Sequence, residues 1–281
     1  MKIALVVSVK DIAGMGMKEA LLATKQFEKT TLLVKAPFDA DAVYRFAKNQ
    51  TAYLYTLSCD TIHAEDLDKQ IDADLFLFLT RHQGAAGIPS LSAHPIGNFG
   101  AAEYGGKDGT LVPAPANYIR HALDLMEKHK GALPYEIIQE ATHHGPYLEK
   151  PTLFLEIGST EKEWKDPEAV KVQVAVILDF ITTTPRQYRP AIGFGGQHTC
   201  SNFMKVMKKT DIAFGHIAAK YAVPAVTEGL IEEMIEKTVP SPLSEGKLLI
   251  VLDWKGLGTG KQHLLDQFTK LGYEYKLTED F

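Results

Sequence analysis

Short apolar runs alternate with amphipathic stretches along most of the chain. An uninterrupted apolar run such as Asp74–Leu79 predicts a buried strand, whereas the helical spacing of apolar residues in Asn117–Lys130 predicts an amphipathic helix. Strands and helices that alternate at this spacing are typical of an α/β fold with a mostly parallel sheet. We therefore expect that fold class for this chain.

The same patterns predict the position of each element. Predicted strands are Lys2–Val9, Thr31–Val34, Ala52–Leu57, Asp74–Leu79, Tyr135–Glu140, Pro151–Ile157, Ala191–Phe194, Thr210–Phe214, Lys247–Leu252 and Tyr273–Leu277. Predicted helices with both bounds are Asp39–Asn49, His63–Ile71, Asn117–Lys130, Glu228–Lys237 and Gly260–Leu271. Three more are one that follows Gly16, one that begins at Asp166 and Pro167 and ends at Ile181, and one that begins near Ser201. Asp followed by Pro is a favourable helix start because Asp caps free backbone amides and Pro fits the first turn.

A Pro-rich segment, Val239–Pro242, predicts a boundary between two parts of the chain. We expect residues 1–70 plus 243–281 to form a smaller α/β lobe. Residues 71–242 are then the catalytic α/β domain, which carries most of the histidines discussed below.

Composition and charge limit the partners of this protein. Its 281 residues are 45% apolar and 23% charged, which is ordinary for a soluble globular protein. The formal net charge of -5 does not suit a surface that coats nucleic acid, so we expect no DNA binding, and RNA contacts only from a local basic patch. The two cysteines form no C-x-x-C pair, which fits a reducing compartment. With no signal sequence and no apolar run near the roughly 18 residues of a membrane span, we expect a cytoplasmic, monomeric protein without membrane contact.

The stretch Thr80–Gly100 contains His82, His94, Asn98 and several glycines directly after a predicted strand. Its composition predicts a long loop, and loops of that length in compact domains are usually functional or disordered. Too few charges are present for a disordered linker. We therefore expect this stretch to build an active site, with both histidines directed into a cleft.

Several other predicted strands end by presenting a histidine or a carboxylate in a glycine-containing turn. Together with His82, these residues are His143, His144, Glu156, His198 and His216. Ligands of open parallel sheets bind beyond the carboxyl ends of the strands, so the pattern predicts one functional cluster at that edge. Ser8 and Asp11 follow the first strand and are expected at the same edge. Four histidines without this setting, His63, His121, His129 and His263, are expected to be structural or to face solvent.

Histidines together with a carboxylate indicate a zinc site. Catalytic zinc keeps about three protein ligands and a position for water, and it lowers the pKa of that water to about 7. The spacing of the histidines matches no single zinc motif such as H-E-x-x-H. The alternative is metal-free acid–base catalysis, in which a histidine activates water and Asn98 stabilises an oxyanion.

The motifs in combination resemble one known family. S-V-K-D-I-A-G, T-R-H-Q followed by H-P-I-G-N-F-G, E-A-T-H-H-G-P, F-L-E-I-G-S-T-E-K-E-W and G-F-G-G-Q-H occur in this order along the chain. Together they resemble the D-aminoacyl-tRNA deacylases of the archaeal and plant type. The resemblance implies hydrolysis of the ester between a D-amino acid, such as D-tyrosine, and the 3′ end of tRNA. It also implies zinc dependence and a three-layer α/β/α fold like that of phosphorylases and peptidyl-tRNA hydrolases.

The resemblance and the strand-end pattern together assign roles to individual residues. One or two zinc ions (Zn²⁺) and water activation are assigned to His82, His94, His143, His144, Glu156 and His198. Arg81 or Lys10 is expected to meet a terminal phosphate of the tRNA. Asn98 and the backbone amides of Gly97, Phe99 and Gly100 are expected to supply oxyanion donors and a substrate wall. Ser8 and Asp11 are expected to contact the substrate.

Other functions fit the same sequence features. A peptidyl-tRNA hydrolase would prefer N-blocked substrates, and a nucleoside phosphorylase would depend on phosphate. A non-catalytic module that binds tRNA or stores zinc would retain its function after substitution of His143, while its metal content fell.

Overall fold

The structure, a computed structural model, describes residues 1–32, 34–35, 40–238 and 248–281. Its strands are β1 (Ile3–Ser8), β2 (Phe27–Lys29), β3 (Tyr44–Phe46), β4 (Ala52–Leu57), β5 (Leu75–Gln83), β6 (Ser90–His94), β7 (Gly97–Asn98), β8 (Thr110–Leu111), β9 (Glu136–Gln139), β10 (Thr152–Ser159), β11 (Arg189–Phe194), β12 (Ile212–Ala218), β13 (Leu249–Leu252) and β14 (Lys276–Leu277). Its helices are α1 (Ile12–Ala23), α2 (Ala116–His129), α3 (Glu161–Trp164), α4 (Pro167–Phe180), α5 (Ser201–Lys209), α6 (Glu228–Lys237) and α7 (Lys261–Leu271).

The larger sheet has the strand order β2-β3-β4-β1-β5-β10-β6-β9. Its centre, β4-β1-β5-β10, is parallel, and β6 runs antiparallel to β10. The central parts of β1, β5 and β10, residues 3–7, 75–79 and 153–155, are apolar and buried, as expected for strands that are covered on both faces. Leu5, Leu77 and Leu155 lie in the core with α1 and α4, whereas Phe78 and Phe154 lie in the core on the opposite face.

The smaller sheet, in the order β12-β11-β13-β14, is parallel throughout. Helices α2 and α5 contact β12, and Phe203 of α5 packs on Phe214 of β12. Phe194 of β11 packs on Phe268 of α7, in the core on the other face. Both sheets are therefore layers between other elements, and the predicted α/β class with a mostly parallel, mixed sheet is confirmed.

The two sheets are joined by Gln139, the last residue of β9, and by the segment that follows it. The side-chain amide of Gln139 donates to the carbonyl oxygens of Phe214 and Gly215 at 3.1 and 3.3 Å. The backbone of Thr142 then pairs with β12, because its amide donates to Ile217 O at 2.9 Å and its hydroxyl accepts from Ile217 N at 3.1 Å. Residues 139–142 are thus fixed to the smaller sheet immediately before His143 and His144.

Several predicted elements differ in the structure. The helix predicted over Asp39–Asn49 is wrong: the described residues 40–49 contain β3, which pairs with β2 and β4. The predicted strand Thr31–Val34 is replaced by β2, which lies earlier, with Leu33 outside the described residues. The predicted helix His63–Ile71 is wrong: the structure has two short 3₁₀ turns, over Thr61–His63 and Leu67–Lys69. The Pro-rich segment Val239–Pro242 lies outside the described residues.

The predicted division into lobes of residues 1–70 plus 243–281 and 71–242 stays a prediction. Strand pairing crosses it in both sheets, since β1 pairs with β5 and β13 pairs with β11. No helix in the part of the chain that the structure describes is long and apolar enough to cross a membrane.

Removing the Gln139 amide is expected to weaken the connection between the sheets. Gln139→Leu leaves two buried carbonyl oxygens without this donor, so the free energy of unfolding should fall by about 1–3 kcal/mol. Urea unfolding followed by circular dichroism measures the change. The control is Glu136→Ala in the same strand, at an exposed position, which should change stability by less than about 0.5 kcal/mol. Equal stability of Gln139→Leu and the wild-type protein would contradict this role.

Candidate active site

A cavity of about 990 Å³ lies where β1, β5 and β10 end, and loops that follow β7 and β12 line it as well. Most of the site residues expected from the sequence line this cavity, namely Ser8, Lys10, Asp11, Arg81, His82, Gly97, Asn98, Phe99, Gly100, His143, His144, Glu156 and His198. His94 is fully buried behind the wall. Strands β1, β5 and β10 are parallel and end at this edge of the sheet. His94 and His143 come instead from β6 and from the segment after β9, two strands that run in the direction opposite to β10.

The long loop predicted over Thr80–Gly100 is wrong, because much of this stretch forms strands. Strand β5 continues through His82, and β6 ends at His94, which leaves residues 84–89 as the loop between them. The chain stays extended because β10 pairs with both strands, with Gly158 opposite His82 and Phe154 opposite His94. Both histidines are therefore held by the sheet.

Glu156 is fixed by the register of the two central strands. It lies opposite Thr80, whose hydroxyl donates to Glu156 Oε1 at 2.8 Å. His82 Nδ1 lies 3.5 Å from the other carboxylate oxygen, and His94 Nε2 lies 3.6 Å from Oε1. The carboxylate is buried between these two imidazoles.

Glu140, which sequence reasoning missed as a site residue, is the second buried carboxylate. Its Oε2 lies 2.9 Å from His198 Nε2, 3.1 Å from His82 Nδ1 and 3.9 Å from His143 Nε2. Only 1% of Glu140 is exposed. The signal that could have found it is its position directly after the predicted strand, three residues before His143 in E-A-T-H-H-G-P.

Three imidazoles share one hydrogen-bonding arrangement. The Nδ1 atoms of His94, His143 and His144 lie 3.1, 2.8 and 2.6 Å from the carbonyl oxygens of Pro95, Ala141 and Gly145. In a neutral imidazole the nitrogen that faces a carbonyl oxygen carries the proton, so in that form Nε2 keeps the lone pair of each ring. This is the usual way in which a protein orients histidines that bind a metal.

Burial and charge divide the imidazoles into two classes. Burial lowers the pKa of His143 well below its ordinary value and lowers that of His144 to about 4, so both rings are neutral. Burial also acts to lower the pKa of His82, but Glu140 and Glu156 outweigh it and raise the value to about 10. The pKa of His94 is raised in the same way, mainly by Glu156.

The two carboxylates remain ionised. Burial acts to raise the pKa of Glu140, yet hydrogen bonds from His198 and His82 outweigh it and hold the pKa well below its ordinary value. For Glu156, burial and the charge of Glu140 act to raise the pKa, and His82 and His94 outweigh both and lower it. The site therefore places two anions among imidazoles in a largely dehydrated setting.

The residues of this site fit a metal ion. Three groups bring possible ligand atoms within 4.8 Å of one another, namely His94 with His143 and His144, His82 with Glu140 and His198, and His94 with Glu140 and Glu156. In the described part of the chain, His94 Nε2 is buried without any hydrogen-bond partner. A buried nitrogen with a free lone pair is costly unless something binds it. Imidazole and carboxylate groups in such sets are common zinc ligands.

The residues expected to contact substrate are held by bonds within the protein. Asp11 caps α1 by accepting from Gly14 N at 2.7 Å, and it also accepts from Arg81 N at 3.0 Å. The Arg81 guanidinium donates to Lys10 O at 3.0 Å and lies over the Trp164 ring. These contacts fix the wall of the cavity around Arg81.

The remaining predicted residues also have partners within the wall. Ser8 donates to Cys59 O at 2.6 Å, and Lys10 lies 3.4 Å from the Asp60 carboxylate. Asn98 Nδ2 donates to Gly105 O at 2.9 Å and to Lys107 O at 3.4 Å, so both hydrogens of its amide are used within the neighbouring loop.

The other wall residues fix the chain at β7. Gly97 passes so close to β8 that a Cβ atom would meet Leu111 Cα at 2.7 Å. Phe99 is buried in the core of the smaller sheet. Gly100 accepts from Gly109 N at 2.8 Å, which closes the loop that follows.

His216 does not join the cluster. It lies within β12 and is fully buried, and its Nδ1 is 3.1 Å from the Thr142 hydroxyl. Burial lowers its pKa to about 3. His216 therefore holds Thr142, in the segment that precedes His143, through this hydrogen bond.

Comparisons with known proteins agree with these observations. Residues 69–276 match the sequence profile of the D-aminoacyl-tRNA deacylases. The D-aminoacyl-tRNA deacylase of Pyrococcus furiosus is 32% identical over 274 residues, which cover 94% of this chain and 96% of that protein. The enzyme of that name from Thermococcus onnurineus is 36% identical over 276 residues, with coverage of 94% and 96%. A crystal structure described as a conserved protein of unknown function superposes with a TM-score of 0.84 at 30% identity, covering 99% of this chain and 96% of that one. The chain belongs to the D-aminoacyl-tRNA deacylase family.

Proposed function

We propose that this protein hydrolyses the ester that joins a D-amino acid to the 3′ end of tRNA, and that it uses zinc. The observation that carries the proposal is a cluster of five imidazoles and two buried carboxylates, four of these imidazoles and one carboxylate lining one cavity, in a chain of this family. An aminoacyl ester is already activated, so an oriented water and a proton acceptor suffice. Free tRNA and the D-amino acid are the products.

Three imidazoles are the best candidates to hold the metal. His143, His144 and His94 can each offer Nε2 while a backbone carbonyl fixes Nδ1. Three histidines and a position for water are a common catalytic zinc site, and bound zinc supplies a water of lowered pKa. The group of His82, Glu140 and His198 would hold a second ion if two bind.

With one ion bound, Glu140 and His198 are placed to move a proton. His198 Nε2 donates to Glu140, so its Nδ1 keeps a lone pair and lies on the cavity side, 3.2 Å from the Tyr221 hydroxyl. We assign to Nδ1 the proton that the attacking water loses, while the anionic Glu140 stabilises the imidazolium. His198 then returns the proton to the 3′ oxygen as the ester C–O bond breaks.

Arg81 and Lys10 remain the residues proposed to meet a phosphate of the tRNA. The arrangement gives less support to Asn98 as an oxyanion donor, because its amide hydrogens already bind Gly105 and Lys107. Gly97 N is likewise used, donating to His144 O at 2.9 Å. We therefore propose that Asn98 and Gly97 hold the wall of the cavity.

The function is tested with D-tyrosyl-tRNA and L-tyrosyl-tRNA side by side, with and without a chelator. The D-ester should be cleaved faster by a factor on the order of 100, since a shaped pocket discriminates closely related substrates to about that degree. Chelation should abolish cleavage and added zinc should restore it. Equal rates for both esters, or cleavage of neither, would defeat the proposed function. Full activity after exhaustive chelation would defeat the zinc assignment alone.

Substituting one proposed ligand should weaken zinc binding. His143→Gln removes an Nε2 ligand, and we expect at least a 100-fold loss of affinity, since even outer-shell changes cost 10–100-fold. Calorimetric titration of zinc into metal-free protein gives affinity and stoichiometry. The control is His121→Gln on α2, whose ring contacts Thr183 outside the cluster. Unchanged binding by His143→Gln would rule out the site of three histidines.

Neutralising the buried carboxylate should slow the chemical step. Glu140→Gln keeps the shape but removes the charge that stabilises protonated His198, so kcat should fall by roughly 10²- to 10⁴-fold. Single-turnover hydrolysis of D-tyrosyl-tRNA measures the effect, with Glu136→Gln at an exposed site as the control. A folded Glu140→Gln variant that retained kcat within about threefold would contradict the assignment.

A further inference from the structure

We propose that Tyr104 and Tyr221 form stacking surfaces for the unpaired bases at the 3′ end of the tRNA. This inference rests on the proposed function and adds to it the side chains that bind the nucleobases. Protein recognition of single-stranded RNA ends commonly uses aromatic rings on which splayed bases stack.

The two tyrosines have the same unusual setting. They are 66% and 61% exposed, the highest values among the exposed large hydrophobic side chains of the described residues. Both also line the cavity that contains the histidine cluster. A single exposed aromatic side chain needs no explanation. Two such rings at one cavity leave apolar faces directly beside the proposed reaction centre.

Tyr104 is presented by a fixed loop. Its carbonyl oxygen accepts from Gly145 N at 3.0 Å, next to His144. The following two residues are anchored as well, since Asn98 Nδ2 donates to Gly105 O at 2.9 Å and Gly106 N donates to Glu65 Oε1 at 2.7 Å. The loop is therefore held firmly while the Tyr104 ring projects into solvent. A fixed backbone lowers the entropy lost when a ligand stacks on the ring.

Tyr221 lies beside His198. Its ring is roughly parallel to the imidazole, with centroids 6.2 Å apart and 28° between the planes. Its hydroxyl lies 3.2 Å from His198 Nδ1. One edge of the ring thus contacts the proposed proton acceptor, and most of the ring remains open. A base stacked on it would lie close to the ester that the adjacent ribose carries.

Cavity size and charge both favour a base as the occupant. At about 990 Å³, the cavity is at the upper limit for sites that hold whole drug-sized ligands, so an amino acid alone would leave much of it empty. The lining also carries Asp11, Asp60 and Glu103 beside Lys10 and Arg81. This mixed charge, in a chain of net charge -5, gives little general attraction for phosphates. Stacking needs no positive charge and can supply the missing affinity.

The test compares Tyr104→Leu and Tyr221→Leu with Tyr104→Phe and Tyr221→Phe. Tyr275→Leu is the matched control, because Tyr275 is exposed but does not line the cavity. Two quantities are measured: KM and kcat for D-tyrosyl-tRNA, and the Kd for a short single-stranded RNA that ends in C-C-A and carries no amino acid. The second measurement does not depend on hydrolysis.

We expect each Leu variant to raise KM and Kd by roughly 5- to 150-fold, the range measured for the loss of one base–aromatic stack. The Phe variants and Tyr275→Leu should bind like the wild type. A Kd unchanged in both Leu variants overturns the inference and leaves the proposed function standing if hydrolysis persists. Weakened RNA binding by a protein that cleaves no D-ester supports the stacking surfaces and defeats the proposed function. Absence of both cleavage and RNA binding in the wild type overturns both.

Discussion

Two buried carboxylates, Glu140 and Glu156, impose the main constraint on this structure. Each buried anion costs several kcal/mol of desolvation unless opposite charge and hydrogen bonds compensate it. His82 and His94 lie against these carboxylates, and the negative charge raises the pKa values of both imidazoles. A divalent cation held by the same groups would compensate the two anions as well. The cluster is thus electrically suited to a metal ion, and its geometry has to be held by the surrounding fold.

The fold holds the cluster from two sides. Pairing of β5 with β10 sets Glu156 of β10 beside Thr80 of β5. His82 lies two residues further along β5, opposite Gly158. The smaller sheet holds the other half, because Thr142 is bonded to His216 and to the backbone of β12. Ala141 N also donates to His198 O at 2.9 Å. The site therefore depends on both sheets keeping their relative position, because His198 follows β11 of the smaller sheet whereas His94 and Glu156 lie in β6 and β10 of the larger one.

The sequence was sufficient for elements whose own pattern is decisive. Strand Ala52–Leu57 has its predicted bounds, and α4 begins where Asp166 and Pro167 predict, because apolar alternation and capping act locally. The sequence of Asp39–Asn49 predicts a helix, but pairing with β2 and β4 makes residues 44–46 the strand β3, and the segment's own sequence does not show that pairing. The glycines of Thr80–Gly100 likewise favour a loop, whereas pairing with β10 keeps β5 and β6 extended. Glu140 was missed because burial turns an ordinary glutamate into a site residue, and one sequence does not show that burial.

The distribution of site residues explains why no short motif identifies this chemistry. Imidazoles and carboxylates come from β5, β6 and β10 and from the segments after β9 and β11. Residues at the ends of β5 and β10 meet because parallel strands end at a common edge, whatever the length of the intervening helices and loops. Strands β6 and β9 run in the opposite direction, and the pairing of β6 with β10 brings His94 beside them. Their spacing along the chain is therefore free, and a rigid pattern such as that of helical zinc sites cannot arise. What is constrained is the type of residue at each strand end, so only the ordered combination of several motifs is specific to the family.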